Sequence, residues 1–257
     1  MNLNLKDKKV FISGGSRGIG LALVRSFLVE GAHVAFCSRN QETVDSVLKE
    51  LKRQYPSSTI LAFASDATDP VSIKGVFSAI SDRWNTLDIV VSNVGDGRST
   101  PDPLQLESQF NKTWQMNFAS AENVAREFLQ MSHQEQGTLI FISSIAGLEA
   151  FGAPTDYSVA KAALIALSKN LARKLAPNIR VNCVAPGNVY FPGGSWDEKI
   201  QKDPDRIQKL IESTVPMKRF GSPEEIADLV LFLSSERASF ITGSCVVIDG
   251  GQTVGFH

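Results

Sequence analysis

Seven short apolar runs, rich in β-branched residues, are spaced along the chain with amphipathic stretches between them. The runs cover 10–12, 33–37, 59–63, 88–91, 138–142, 180–184 and 245–248. Each is nearly continuous in apolar residues, the pattern of a strand covered on both faces, where a half-exposed strand would alternate. The stretches 18–30, 41–54, 71–83, 107–131, 156–175 and 223–233 carry apolar positions at helical spacing instead. Two helix starts are marked: Asp69-Pro70 and Ser222-Pro223-Glu224-Glu225 each place a capping side chain ahead of proline. Repeated strand–helix–strand units predict an α/β fold, a doubly wound, seven-stranded parallel sheet with helices on both faces. No linker-like tract or tandem repeat interrupts the alternation, so one domain over residues 1–257 is expected. The departure is the stretch of about 187–216, where Tyr190, Phe191, Gly193-Gly194 and Trp196 lead into a charged helical segment. An insertion of that size between a strand and its covering helix is expected to be a substrate lid.

Directly after the first run comes Ser13-Gly14-Gly15-Ser16-Arg17-Gly18-Ile19-Gly20, and a helical apolar face follows. Glycines at 14, 18 and 20 allow a sharp turn and close approach to a pyrophosphate, and the helix start aims free N–H groups at its charge. In the order strand, glycines, helix, this is a dinucleotide site of a Rossmann-type fold. Ser16 and Ile19 in the turn and Ser38 beside it extend the candidate cofactor lining. The second strand ends in Cys37-Ser38-Arg39-Asn40, where the adenosine ribose falls in such folds. A carboxylate there would take the 2′-hydroxyl of NAD; Arg39, with Arg17 as a second cation, suits a 2′-phosphate and selects NADP(H).

Tyr157 and Lys161 stand four residues apart on one face of the helix after the fifth strand. A free phenol, with a pKa of about 10, is a poor acid or base at neutral pH. A neighbouring ammonium is expected to lower that value and fit Tyr157 for proton exchange with a carbonyl or alcohol oxygen. Ser143 and Ser144 end the fifth strand at the carboxyl edge, where ligands of open α/β sheets bind. Ser144, 13 residues before Tyr157, is the preferred hydroxyl to orient the reacting oxygen.

Charge narrows the partners. The 257 residues hold 26 Lys+Arg against 27 Asp+Glu, a net charge of −1, with no long run of one sign. Neither nucleic acid nor a membrane is expected as partner; a small molecule is. Three widely spaced cysteines, Cys37, Cys183 and Cys245, fit free thiols in a reducing compartment, and no apolar signal core or membrane-length run is present. A cytoplasmic protein is the expectation, and no metal site is.

These motifs in this order resemble the short-chain dehydrogenase/reductase family, in particular its compact single-domain branch that includes the 3-oxoacyl carrier-protein reductases. The likeness spans essentially the whole chain. It rests on the glycine turn, Asp66, Asn93-Val94-Gly95, Asn117, Ser144, Tyr157 with Lys161, Pro186-Gly187, and the closing Ile248-Asp249-Gly250-Gly251. The resemblance implies that Tyr157 exchanges the proton, Ser144 orients the carbonyl, and Lys161 holds the nicotinamide ribose. Asn117 would anchor a water joining Lys161 to solvent. By the same likeness Asp66 and Ala67 lie at the adenine, Asn93 and Gly95 along the adenosine, Pro186 and Gly187 beside the cofactor, and Val189 at the nicotinamide amide. A homotetramer or homodimer is implied as well.

Three positions depart from the family pattern: Ser13 for threonine, Val94 in a larger form, and Phe191 where a threonine commonly touches the cofactor. The implied activity is NADP(H)-dependent reduction of a ketone, a 3-oxoacyl thioester or similar. A secondary alcohol or polyol dehydrogenase is the alternative enzyme, and a non-catalytic cofactor-binding regulator the alternative of another class. Tyr190, Phe191, Trp196 and Phe151 suggest an aromatic-lined pocket or a lid seated on the body of the protein. Arg98 either meets an anionic substrate group or is solvated, with solvation preferred.

Overall fold

The computed structural model describes residues 2–131 and 136–255. Its seven strands are β1 (Lys9–Ser13), β2 (His33–Ser38), β3 (Ile60–Ala64), β4 (Ile89–Ser92), β5 (Gly137–Ile142), β6 (Ile179–Pro186) and β7 (Cys245–Ile248). All pair in parallel in the order β3-β2-β1-β4-β5-β6-β7. Strand order reverses between β1 and β4, so a crevice opens there beyond the carboxyl ends.

The covering helices are α1 (Gly18–Val29), α2 (Gln41–Gln54), α3 (Pro70–Trp84), α4 (Glu107–Trp114), α5 (Ser120–Gln130), α6 (Thr155–Leu175), α7 (Ser195–Lys202), α8 (Pro204–Thr214) and α9 (Pro223–Ser234). Successive strand residues feed opposite cores, which is why the strands read as unbroken apolar runs. Val10 and Ile12 of β1, with Val34 and Phe36 of β2, pack under α1, α2 and α9. Phe11, Ala35 and Cys37 pack with α3, α5 and α6 on the other face. Both marked helix starts form: Asp69 accepts from the Val71 N–H, and Ser222 and Glu225 make a reciprocal capping box.

The continuous helix expected over 107–131 is broken. A π-helical turn, Gln115–Ala119, joins α4 to α5 and holds Asn117, which is fully buried. No proline or glycine lies in 107–131 to mark the π-helical turn, so the sequence reads as one helix. The 187–216 stretch folds on its own small cluster: Ile207, Ile211 and Val215 are buried, with Trp196, Ile200 and Phe220 packed against them. No cysteine is in a disulfide; Cys37 and Cys183 are buried and Cys245 is half-buried. Among the described residues, no helix is long and apolar enough to cross a membrane, and no cluster of side chains suits a metal ion.

Candidate active site

The crevice between β1 and β4 is lined at one end by the glycine turn. Gly14 has φ +74°, a conformation that favours glycine. At Gly20 the requirement is space: a Cβ there would lie 2.0 Å from the Gly14 carbonyl oxygen. The start of α1 therefore packs directly on the turn. Arg17 at its N-cap provides no side-chain cap, which leaves N–H groups of the first helical turn for a ligand. The Gly14 and Gly15 N–H groups donate to the Cys37 carbonyl, and the Ser16 hydroxyl donates to that of Ser38.

Ser16, Arg17, Ile19, Ser38, Arg39, Asp66 and Ala67 share this end with Gly14 and Gly20. Arg17 and Arg39 are both exposed. Asp66 accepts from the Thr68 N–H and hydroxyl, which fixes the loop after β3. Asn93 lines the crevice and also staples it: its amide donates to the Ser13 and Gly14 carbonyls. Gly18, at φ +51°, is covered by the ring of Phe191, so it underlies the crevice wall instead of lining it.

At the other end lie Gly95, Ser144, Tyr157, Lys161, Pro186, Gly187 and Val189. Tyr157 and Lys161 sit on the first two turns of α6. That start is tied down from the loop after β4: the Ser99 hydroxyl donates to buried Asp156, Gln105 accepts from the Asp156 N–H, and the Thr155 hydroxyl donates to the Pro103 carbonyl. Gly147 lets the end of β5 approach, since a Cβ there would lie 2.7 Å from the backbone of Lys161. Ser144 caps the short turn after β5 and hydrogen-bonds the Tyr157 phenol.

Lys161 is 3% exposed, and its ammonium donates to the Ile142 carbonyl at 3.0 Å. Burial lowers its pKa to about 8. Its Nζ lies 5.8 Å from the centre of the Tyr157 ring. The expected depression of the phenol does not follow from this arrangement. Burial raises the Tyr157 pKa above the ordinary value; the Ser144 hydrogen bond pulls it back in part, and the Asp96 charge pushes it further up. The spacing places the two side chains on one face, but it says nothing of their burial or of the carbonyl that engages the lysine.

Asn117 does not line the crevice. Its side chain accepts from the Asp96 N–H and donates to the Asp96 and Thr113 carbonyls, each at 3.0 Å, so the amide pins the loop after β4. Gly95 fits between the two polar groups: a Cβ there would lie 2.9 Å from both Asn117 Oδ1 and Lys161 Nζ.

Sequence reasoning missed Asp96, Met116 and Ser195, which also line the crevice. Of the four aromatic residues singled out, Phe191 and Trp196 line it. Tyr190 is outside, bonded through its hydroxyl to Asp197, and Phe151 is exposed. Arg98 is exposed to solvent, as preferred, and is at the same time ion-paired to Asp96 and Glu198. The available signal was a charged loop following a strand at the ligand edge of the sheet.

Comparison with known proteins places this geometry among relatives. Residues 14–253 match the family model described as enoyl-(acyl carrier protein) reductase. The 3α-hydroxysteroid dehydrogenase of Mediterraneibacter gnavus is 32% identical over 97% of this chain and 98% of its own length. The 3-oxoacyl-[acyl-carrier-protein] reductase of Thermotoga maritima is 31% identical over 98% of this chain and 100% of its own. The solved structure of L-sorbose reductase from Gluconobacter frateurii, complexed with NADPH and L-sorbose, superposes with a TM-score of 0.91 at 31% identity, covering 98% of each chain.

Proposed function

This chain belongs to the short-chain dehydrogenase/reductase family of oxidoreductases, and on that premise we propose that it reduces a ketone to a secondary alcohol with NADP(H). The observation that carries the reading is the meeting of Ser144, Tyr157 and Lys161 at the carboxyl edge of the sheet, in the same crevice as the glycine turn. A bound NADPH supplies the hydride. The turn fits a dinucleotide because Gly20 leaves room only for backbone and the start of α1 is uncapped. Arg39, with Arg17, holds the 2′-phosphate. Asp66 and Ala67 flank the adenine, Asn93 and Gly95 the adenosine, and Pro186, Gly187 and Val189 the nicotinamide side.

In this reading the Ser144 hydroxyl donates to the substrate carbonyl and orients it. Tyr157 gives its phenolic proton to the oxygen as negative charge develops there. Burial raises the pKa of that phenol and so keeps it protonated, the form that ketone reduction draws on. Lys161 holds the ribose and stabilises the phenolate left behind. Asn117 positions the loop between Gly95 and Arg98 and, as the family resemblance implies, anchors the water that returns a proton through Lys161. The 187–216 segment closes over the substrate, and the protein works as a cytoplasmic homotetramer or homodimer, which light scattering measures.

The substrate is a 3-oxoacyl thioester or a similar ketone. The test is a matched panel of ketones with NADPH and secondary alcohols and polyols with NAD⁺ and NADP⁺. Faster turnover of ketones with NADPH is expected. Faster oxidation of alcohols with NAD⁺ would overturn both direction and cofactor, and absence of turnover on a broad panel with cofactor bound would favour a binding protein.

A further inference from the structure

Arg98 and Glu198 lie 100 residues apart, one in the loop after β4 and the other on α7, and meet across the mouth of the crevice. The contact is a two-point fork, Nη2 to Oε1 at 2.7 Å and Nε to Oε2 at 3.2 Å. Arg98 Nη1 donates to both oxygens of Asp96, at 3.0 and 3.1 Å, and Nη2 donates also to the Gly193 carbonyl at 3.4 Å. All three nitrogens of the guanidinium thereby donate to resident acceptors. The loop end of this link is itself fixed, because Asn117 holds the backbone of Asp96 on both its N–H and its carbonyl. Gly97 rests against the Tyr157 ring; a Cβ there would lie 3.7 Å from the ring carbon bearing the hydroxyl. One run of three residues therefore connects the wall of the catalytic tyrosine to α7.

The charges around this link are Asp96, Asp197 and Glu198 against Arg98, Lys202 and Arg17, whose Nη1 reaches the same Gly193 carbonyl at 3.4 Å. Asp197 is occupied by the Tyr190 hydroxyl, the Gly193 N–H and Gln201. Hydrogen bonding to Arg98 holds the Glu198 carboxyl below its ordinary pKa, so it stays charged. An incoming substrate anion meets two resident carboxylates around a cation whose three nitrogens already have partners.

We propose that Arg98 and Glu198 form a specificity-determining clasp: the pair fastens α7 over the substrate end of the crevice and withholds the guanidinium from anionic substrates, so the enzyme selects carbonyl compounds whose nearby groups are uncharged. The proposal rests on the reductase reading for its substrate half. A single exposed ion pair counts for little, but a forked pair sharing a second carboxylate and a lid carbonyl has defined geometry and competes directly with a ligand carboxylate.

The test compares a 4-oxoalkanoate with its methyl ester, using NADPH and the full-length protein. The wild type is expected to favour the ester by about tenfold or more in kcat/KM. Glu198→Gln frees donors of Arg98 and should move that ratio about tenfold toward the acid, and adding Arg98→Met should cancel the gain. An unchanged ratio in Glu198→Gln, or a gain that survives Arg98→Met, overturns the specificity claim. Limited trypsin digestion reads the fastening without any turnover. Cleavage after Lys199 and Lys202 should be about fivefold or more faster in both single variants, with the double variant no faster than either. Equal nicking rates in wild type and variants overturn the clasp itself; failure of every protein to reduce the ester, with the nicking pattern as expected, faults the reductase reading alone.

Discussion

The two ends of the crevice are built by different means. At the glycine turn the backbone itself is the binding surface: α1 rests on the turn so closely that one added carbon at Gly20 would sit 2.0 Å from a carbonyl oxygen. At the mouth the wall is made of side chains on loops and on α7, with Arg98 itself 35% exposed. A Cβ at Gly193, in the middle of this wall, would meet nothing within 4 Å. The first end admits few sequences and serves any substrate; the second can be rebuilt without disturbing the sheet. Relatives named for a hydroxysteroid, a 3-oxoacyl carrier-protein substrate and L-sorbose share the fold at about 30% identity. Variation in the side-chain wall over a constant backbone floor is a physical route to such a spread.

Tyr157 stands at the end away from the glycine turn, against Gly97, and its loss should be the largest effect. Tyr157→Phe is expected to lower turnover by at least ~10²-fold while cofactor affinity, set at the glycine turn, stays near that of the wild type. Stopped-flow hydride transfer and cofactor titration separate the two; a parallel loss of cofactor binding would mean that floor and chemistry are not independent. Next in size, Gly20→Ala should weaken folding by about 3 kcal/mol, the upper end of overpacking costs, because the obstacle is backbone. Gly193→Ala has space but holds φ +72°, so only the cost of a left-handed residue, about 1 kcal/mol, is expected. Denaturant melts of the pair test the contrast, and equal costs would erase it.

Arg39→Asp acts on the floor through charge instead of packing. Removing a guanidinium from a phosphate and placing a carboxylate at the 2′-position should shift preference toward NAD(H) by about 2 kcal/mol, ~30-fold. The ratio of kcat/KM for NADPH and NADH reads this, and an unchanged ratio would leave the 2′-phosphate to Arg17 or another group.

What could be read in the sequence follows the same division. The seven strands, their burial on both faces, the glycine turn and the Tyr157–Lys161 face all depend on local periodicity and spacing, so they were legible. The break at Gln115–Ala119 was not, since no proline or glycine marks the π-helical turn that sets Asn117 against the loop after β4. Nor was the Arg98–Glu198 fork: two charged residues 100 positions apart give no periodic signal, and each alone reads as solvated surface. Phe191 over Gly18 belongs to the same class, a contact between distant segments made by shape. The acidity of Tyr157 was misjudged for a related reason. Sequence spacing gave proximity to an ammonium, but desolvation, which acts on both groups, depends on the whole fold.

That desolvation gives the smallest of the expected effects and the sharpest test of whether the two ends are electrically separate. Lys161 has a pKa lowered to about 8 by burial, so its ammonium is present below that pH and is lost as pH rises through it. Ketone reduction needs the charged form to stabilise the phenolate, and kcat/KM should therefore decline above about pH 8, approaching tenfold per unit. Deprotonation of Tyr157 would produce a fall of the same sign, but its pKa is raised, which puts that limb at higher pH. Cys183 also faces Lys161, and its thiol is held well above the ordinary value, so it stays neutral through this range. At the mouth, Arg98 keeps its charge at every pH of the profile. Glu198→Gln should then change substrate preference and leave the midpoint near 8 in place. A midpoint that moves in that variant would mean that α7 reaches Lys161 through Asp96, and the crevice would have to be treated as one electrostatic unit.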